Sequence, residues 1–107
     1  MISDLTNKIK AFRDERDWTQ FHNSRNLAAA ISVEAGELLD HFIWTDYPRG
    51  GDPAVAEEIS DIAIYLFELA DNLGIDLETA IEQKLATNAR KYPVQKAKGC
   101  CLKSADL

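Results

Sequence analysis

Two pairs of acids are each set three residues apart inside apolar stretches: Glu34 and Glu37 in Val33-Glu34-Ala35-Gly36-Glu37-Leu38-Leu39, and Glu58 and Asp61 in Glu58-Ile59-Ser60-Asp61-Ile62-Ala63-Ile64. On a helix a spacing of three places both side chains on one stripe, about 60° apart around the axis. The apolar flanks turn that stripe toward the interior of a bundle. His41 and Trp44 extend the first stripe and Tyr65 the second. Four carboxylates converging away from water need a partner or must take up protons, and a divalent cation resolves the conflict. A set rich in carboxylate oxygen, with no thiolate and few imidazoles, suits a hard ion such as Mg²⁺ or Mn²⁺ that retains water and bridges to phosphates. Glu57, about 100° off the Glu58 stripe, reads as a solvated acid. A di-iron bundle would draw on Glu-x-x-His motifs, and neither Glu37 nor Asp61 has a histidine three residues later.

Opposite charge is supplied further along. Lys84, Asn88 and Lys91 fall at i, i+4 and i+7, with Arg90 and Tyr92 beside them, so one helical face offers ammonium and amide groups for phosphate oxygens. Earlier, Arg16-Asp17-Trp18-Thr19-Gln20-Phe21-His22 gathers two aromatics, a histidine and an amide in a short link. Trp18 and Phe21 are either core rings or a platform for a nucleobase, and Trp44 has the same two readings.

The elements that must position these groups are helical, because apolar residues recur at three to four and sustained alternation is almost absent. A first helix, capped by Ser3, carries Leu5, Ile9 and Phe12 and fades near Asp17-Trp18. A second runs from near Ser24 through Trp44 and ends before a loop marked by Pro48, Gly50 and Gly51. Asp52-Pro53 opens a third, which stops at Gly74. Asp76 caps a fourth that reaches about Lys91, before Tyr92-Pro93. The expectation is an all-α four-helix bundle in a single domain over 1–107, with a core over about 3–93 and a poorly ordered tail over 94–107.

The chain has 107 residues, 46% of them apolar, with 12 Lys+Arg against 18 Asp+Glu and a formal charge of −6. One compact core fits that length, and the acidic balance argues against nucleic acid and anionic membrane as partners. No apolar run approaches the roughly 18 residues of a membrane span, and the opening Met1-Ile2-Ser3-Asp4-Leu5 does not resemble an export signal, so a cytoplasmic location is expected. Cys100 and Cys101, adjacent in a polar tail, read as bystander thiols.

Taken together, Glu34-x-x-Glu37, Glu58-x-x-Asp61, Lys84-x-x-x-Asn88 and Lys91-Tyr92-Pro93, preceded by Glu15-Arg16-Asp17-Trp18 and Phe21-His22 with Arg25-Asn26, resemble the MazG-like all-α nucleoside triphosphate pyrophosphohydrolases, and within them the dCTP pyrophosphatase branch. The resemblance spans Phe12 to Gly99. It implies Mg²⁺-dependent hydrolysis of a nucleoside triphosphate, usually a deoxy one, to monophosphate and pyrophosphate, as nucleotide-pool housecleaning. By the same resemblance Glu34, Glu37, Glu58 and Asp61 bind the metal, which polarises the α-phosphate and activates water, while Glu34 or Glu37 acts as general base. Lys84 and Asn88 hold phosphates, with Lys91 and Tyr92 in the same motif. Tyr65 lines the sugar or phosphate region, Trp18 and Trp44 contact the base, and His22 and Asn26 join the substrate site. The family assembles into dimers or tetramers, with sites often completed across subunits. Ile9 stands where eukaryotic dCTP pyrophosphatases carry a base-site histidine, and Ser104 where a tail tyrosine often follows the lysine. Two other readings are a catalytically silent helical module that senses nucleotide or binds a protein, and a related dUTP or phosphoribosyl-ATP pyrophosphohydrolase.

Overall fold

A computed structural model of the protein describes residues 1–46 and 51–107. Among these residues the structure is helical, with no strand, as the periodicity predicts. Four long helices, α1 (Ile2–Glu15), α2 (Ser24–Asp40), α3 (Gly51–Asn72) and α4 (Leu77–Lys91), are followed by a short α5 (Val94–Ala97) and one 3₁₀ turn (Ser104–Asp106). The chain divides into two compact units, Met1–Ile75 and Asp76–Leu107.

In the first unit α3 is the central element, with α2 packed along it and α1 against it. Leu27, Glu34 and His41 recur at seven and share the side of α2 on which Leu27 is 1% exposed. On α1, Ile2, Thr6, Ile9 and Arg13 recur at three to four and, with Lys10, are the half-buried or buried positions. Leu27 and Ala70 are the buried apolar residues among those described, while Val33, Leu39, Ile59, Ile64 and Leu66 remain exposed. An apolar groove of about 440 Å³, walled by Ile9 and Phe12 of α1 and by Ile64 and Phe67 of α3, adds to that uncovered surface.

Several boundaries differ from the sequence-based expectation. Ser3 does not cap α1; the helix already includes Ile2, with Met1 at the cap position and no side-chain bond to its free N–H groups. Asn23 caps α2, its side chain accepting from the Asn26 N–H at 2.8 Å. That helix ends at Asp40, not at Trp44. Bonds from Phe42 N to Leu39 O (2.9 Å) and from Thr45 N to Phe42 O (3.2 Å) tighten the chain into turns, and Trp44 takes a left-handed φ of 67°. Helix α3 begins by Gly51, just before the Asp52-Pro53 pair, and the expected loop residues Pro48 and Gly50 lie outside the described residues. Its C-terminus is as anticipated. Gly74 has φ 67°, and bonds from Ile75 N to Ala70 O (2.8 Å) and from Gly74 N to Asp71 O (3.1 Å) close a Schellman motif.

In the second unit Asp76 caps α4 by accepting from the Thr79 N–H at 3.2 Å. The helix ends at Lys91, and the Tyr92 N–H bonds to Asn88 O at 2.8 Å. Beyond it the tail carries a short α5, whose first turn is set by the fixed φ of Pro93 and closed by Ala97 N to Pro93 O at 2.9 Å.

Candidate metal and nucleotide site

Helices α2 and α3 bring Glu34, Glu37 and Glu58 together, with one carboxylate oxygen from each lying within 4.8 Å of the others. Glu34 and Glu58 are half-buried, and Glu37 is exposed at the edge. Oxygens Glu34 Oε2 and Glu58 Oε2 are sealed from solvent with no hydrogen-bond partner. Two such orphans, on groups that accept but do not donate when ionised, are costly unless a proton or a cation satisfies them. Burial above all, then hydrogen bonding with the carboxyls of Glu37 and Glu58 and the charges of Glu37 and Asp61, pushes the Glu34 carboxyl up to about 7. Three carboxylates, two of them with an orphaned buried oxygen, fit a divalent cation. Asp61 is exposed and stands outside the three-acid group, although its charge reaches both Glu34 and Tyr65. His41 closes the α2 side, its Nε2 3.8 Å from Glu58 Oε1, and Glu57 is exposed, as its angular position requires.

A second cluster lies further along α3. Glu58, Asp61, Tyr65, Glu68 and Asn72 are spaced three, four, three and four, within a sector of about 80°. Glu68, 1% exposed, accepts from His22 Nδ1 at 2.8 Å and from Arg13 Nη1 at 3.5 Å. The Asn72 amide donates to the His22 carbonyl at 2.9 Å. The His22 ring meets Tyr65 edge-on at 6.2 Å and Trp18 at 5.8 Å, and Trp18 meets Phe12 at 5.9 Å. Burial, then the charges of Glu34, Asp61 and Glu68, raises the Tyr65 hydroxyl above its ordinary range, so this ring links the two clusters electrostatically.

The link between α1 and α2 is tightly bonded for a loop. Trp18 N donates to Arg13 O at 3.1 Å and His22 N to Trp18 O at 3.0 Å. Asp14 Oδ1 accepts from Arg13 Nε and Thr19 Oγ1, both at 3.0 Å, and these two bonds lead the causes that lower the Asp14 carboxyl. Asn26 spends its side-chain amide on Phe21 O at 2.9 Å, which fixes the link. Of the expected site residues, Trp18 is 40% exposed beside His22, whereas Trp44 is 99% exposed in the turn after α2. In the second unit Lys84 and Lys91 are exposed, and Asn88 and Tyr92 are half-buried. Arg13, Glu68 and Asn72 escaped the sequence reading. The available signal was Glu68, a lone acid in the apolar run Tyr65-Leu66-Phe67-Glu68-Leu69-Ala70, seven residues from Asp61 and so nearly in phase with it.

The fold and the acid cluster define an all-helical protein whose central helix pair presents carboxylates suited to a cation. The model of the MazG-like family matches residues 29–107, a span that includes all four acids and continues through α4. The chain belongs to the MazG-like family. It is 40% identical over 99% of its length to dCTP pyrophosphatase 1 of Bos taurus, covering 68% of that protein. The identity to dCTP pyrophosphatase 1 of Homo sapiens is also 40% over 99% of the chain, covering 67% of that protein. The crystal structure of a pyrophosphatase from Archaeoglobus fulgidus superposes with a TM-score of 0.78 at 38% identity, over 85% of this chain and 91% of that one.

Proposed function

We infer that the protein is a nucleoside triphosphate pyrophosphohydrolase that cleaves dCTP or related deoxynucleotides to the monophosphate and pyrophosphate, with Mg²⁺ as the cation, in the nucleotide pool of the cytoplasm. The observation that carries this reading is the group formed by Glu34, Glu37 and Glu58, with two buried oxygens lacking a donor. Its relatives named dCTP pyrophosphatase support the substrate class.

Glu34, Glu37 and Glu58 would hold the cation, with Asp61 contributing charge or a fourth ligand. When bound, the ion supplies Lewis-acid polarisation and acidification of a coordinated water. Glu34 or Glu37 would take the proton of the attacking water. Trp18 and His22, backed by Tyr65, provide the ring surface for the nucleoside, Asn26 fixes the link that carries them, and Trp44 offers a second, exposed ring. From the second unit, Lys84, Asn88, Lys91 and Tyr92 carry donors suited to phosphate oxygens. The exposed apolar faces of α2 and α3 favour a homodimer or tetramer, in which they would be covered.

The test is a panel of canonical and modified dNTPs assayed with Mg²⁺, reading monophosphate and pyrophosphate separately. Equimolar monophosphate and pyrophosphate from dCTP supports the reading. Release of inorganic phosphate, or nucleotide binding without turnover across the panel, refutes it.

A further inference from the structure

Glu68 takes no part in the acid cluster, yet it is among the most deeply buried side chains described and its carboxylate is committed to the loop that carries Trp18 and His22. A buried carboxylate must be compensated, and here the compensation comes from Arg13 of α1 and from one particular nitrogen of a loop histidine. We propose that Glu68 is a positioning residue for nucleotide binding: it holds His22 through Nδ1 so that Nε2, the ring's remaining nitrogen, is presented to the nucleoside part of a deoxynucleoside triphosphate. The proposal rests on the functional reading above.

Three observations converge on it. At 2.8 Å the Nδ1 bond is short enough to be charge-assisted, and a carboxylate can only accept, so the proton lies on Nδ1. A neutral imidazole then has Nε2 as an acceptor, and a carboxylate bonded to the other ring nitrogen sets both tautomer and ring orientation. The loop backbone is tied down independently, by Asn72 donating to His22 O at 2.9 Å one turn further along α3. Two successive turns of one helix therefore grip one residue by side chain and main chain. The ring itself stays 21% exposed, flanked by Trp18 and Tyr65, with no partner recorded for Nε2 among the described residues. A residue serving packing alone would gain nothing from an ordered, partly open imidazole face. The Arg13 guanidinium, also bound to Asp14 at 3.0 Å, keeps the Glu68 carboxylate compensated from the α1 side.

The experiment combines a spectroscopic and a kinetic readout on the full chain. With two histidines in the sequence, ¹⁵N-resolved NMR in mildly alkaline buffer, assigned with His22→Gln, reads the tautomer of each ring directly. The expected result is an Nδ1–H tautomer for His22, converted to Nε2–H in Glu68→Ala and retained in Glu68→Gln, whose carbonyl can still accept. In dCTP hydrolysis, Glu68→Ala should raise KM about tenfold with kcat within about twofold. His22→Ala should do the same, and the double variant no more than either alone. If Glu68→Ala does not fold, the Arg13→Met/Glu68→Leu variant removes the buried charges together and carries the same expectation. An Nε2–H tautomer in the unaltered protein, or additive KM effects in the double variant, overturns the proposal. Absence of dCTP turnover in the unaltered protein instead refutes the functional reading on which it rests, and with it the nucleotide role of His22.

Discussion

Arg13 and Glu68 form an ion pair of 3.5 Å whose side chains are 9% and 1% exposed, and although Asp14 also bonds Arg13 and His22 also bonds Glu68, removing either partner leaves the other buried charge under-compensated. Glu68→Ala or Arg13→Ala should therefore destabilise the fold by about 3–5 kcal/mol. Replacing both, as Arg13→Met with Glu68→Leu, should recover most of that loss. Urea denaturation of the three variants decides the matter, and a double variant no more stable than either single one would contradict this account.

The acid cluster predicts a linked dependence on pH and cation. Burial and neighbouring acids push Glu34 from its ordinary 4.5 up to about 7. Between those values the folded, cation-free protein holds a proton that the unfolded chain has released, so this group's contribution to stability falls as pH rises through the window. A bound cation replaces that proton. The shift in melting temperature on adding Mg²⁺ should thus grow from about pH 5 to about pH 8, with proton release visible by calorimetry in buffers of different ionisation enthalpy. A Mg²⁺ shift of equal size at both ends would exclude Glu34 as a ligand.

Glu37 and Glu57 provide a matched comparison, since both are exposed acids on the acid-bearing helices and only Glu37 belongs to the cluster. Glu37→Gln should lower kcat by at least about 100-fold, whereas Glu57→Gln should leave kcat and KM unchanged. Circular dichroism should show equal helicity in both. Similar losses in the two variants would point to a diffuse electrostatic effect.

Trp44 combines 99% exposure with a left-handed φ of 67°, an arrangement that gives folding nothing from the indole and costs strain of about 1–2 kcal/mol. Trp44→Gly should melt at the same temperature or higher. Where the ring stacks on a base, KM for dCTP should rise at least about fivefold, in line with a stacking energy of roughly 1–3 kcal/mol. Unchanged KM would remove Trp44 from the binding site.

The exposed apolar residues of α3, with Ile59 54%, Ile64 40% and Leu66 43% exposed, lead to an expectation about assembly. Sedimentation at micromolar concentration should give a dimer or tetramer, and Leu66→Lys should shift it toward smaller species. A stable 12.0 kDa monomer would rule this out.

Much of the site was legible because helical spacing is local. Glu34, Glu37, Glu58 and Asp61 could be placed on stripes by counting, and Gly74 and Asp76 could be assigned to helix ends by their chemistry. The end of α2 was not legible, because a tryptophan in a left-handed turn gives no glycine or proline signal. Nor was the Arg13–Glu68–His22 cluster, whose members are 55 and 46 positions apart and meet only when α1 and the link close on α3. Asn26 reads as a ligand-binding amide by type, yet its amide bonds to Phe21 O.

The stripe from Glu58 to Asn72 makes α3 behave like a crankshaft, with its acid end and its His22-gripping end cut at a common phase. Asp61 and Glu68 are seven residues apart, about 10 Å along the axis and within about 20° in rotation. Side-chain replacements between them alter one neighbour at a time. Inserting or deleting a single residue there would instead turn one end by about 100° against the other, aiming the cation ligands and the histidine clasp in different directions. The length of this segment therefore matters to the site independently of its side chains.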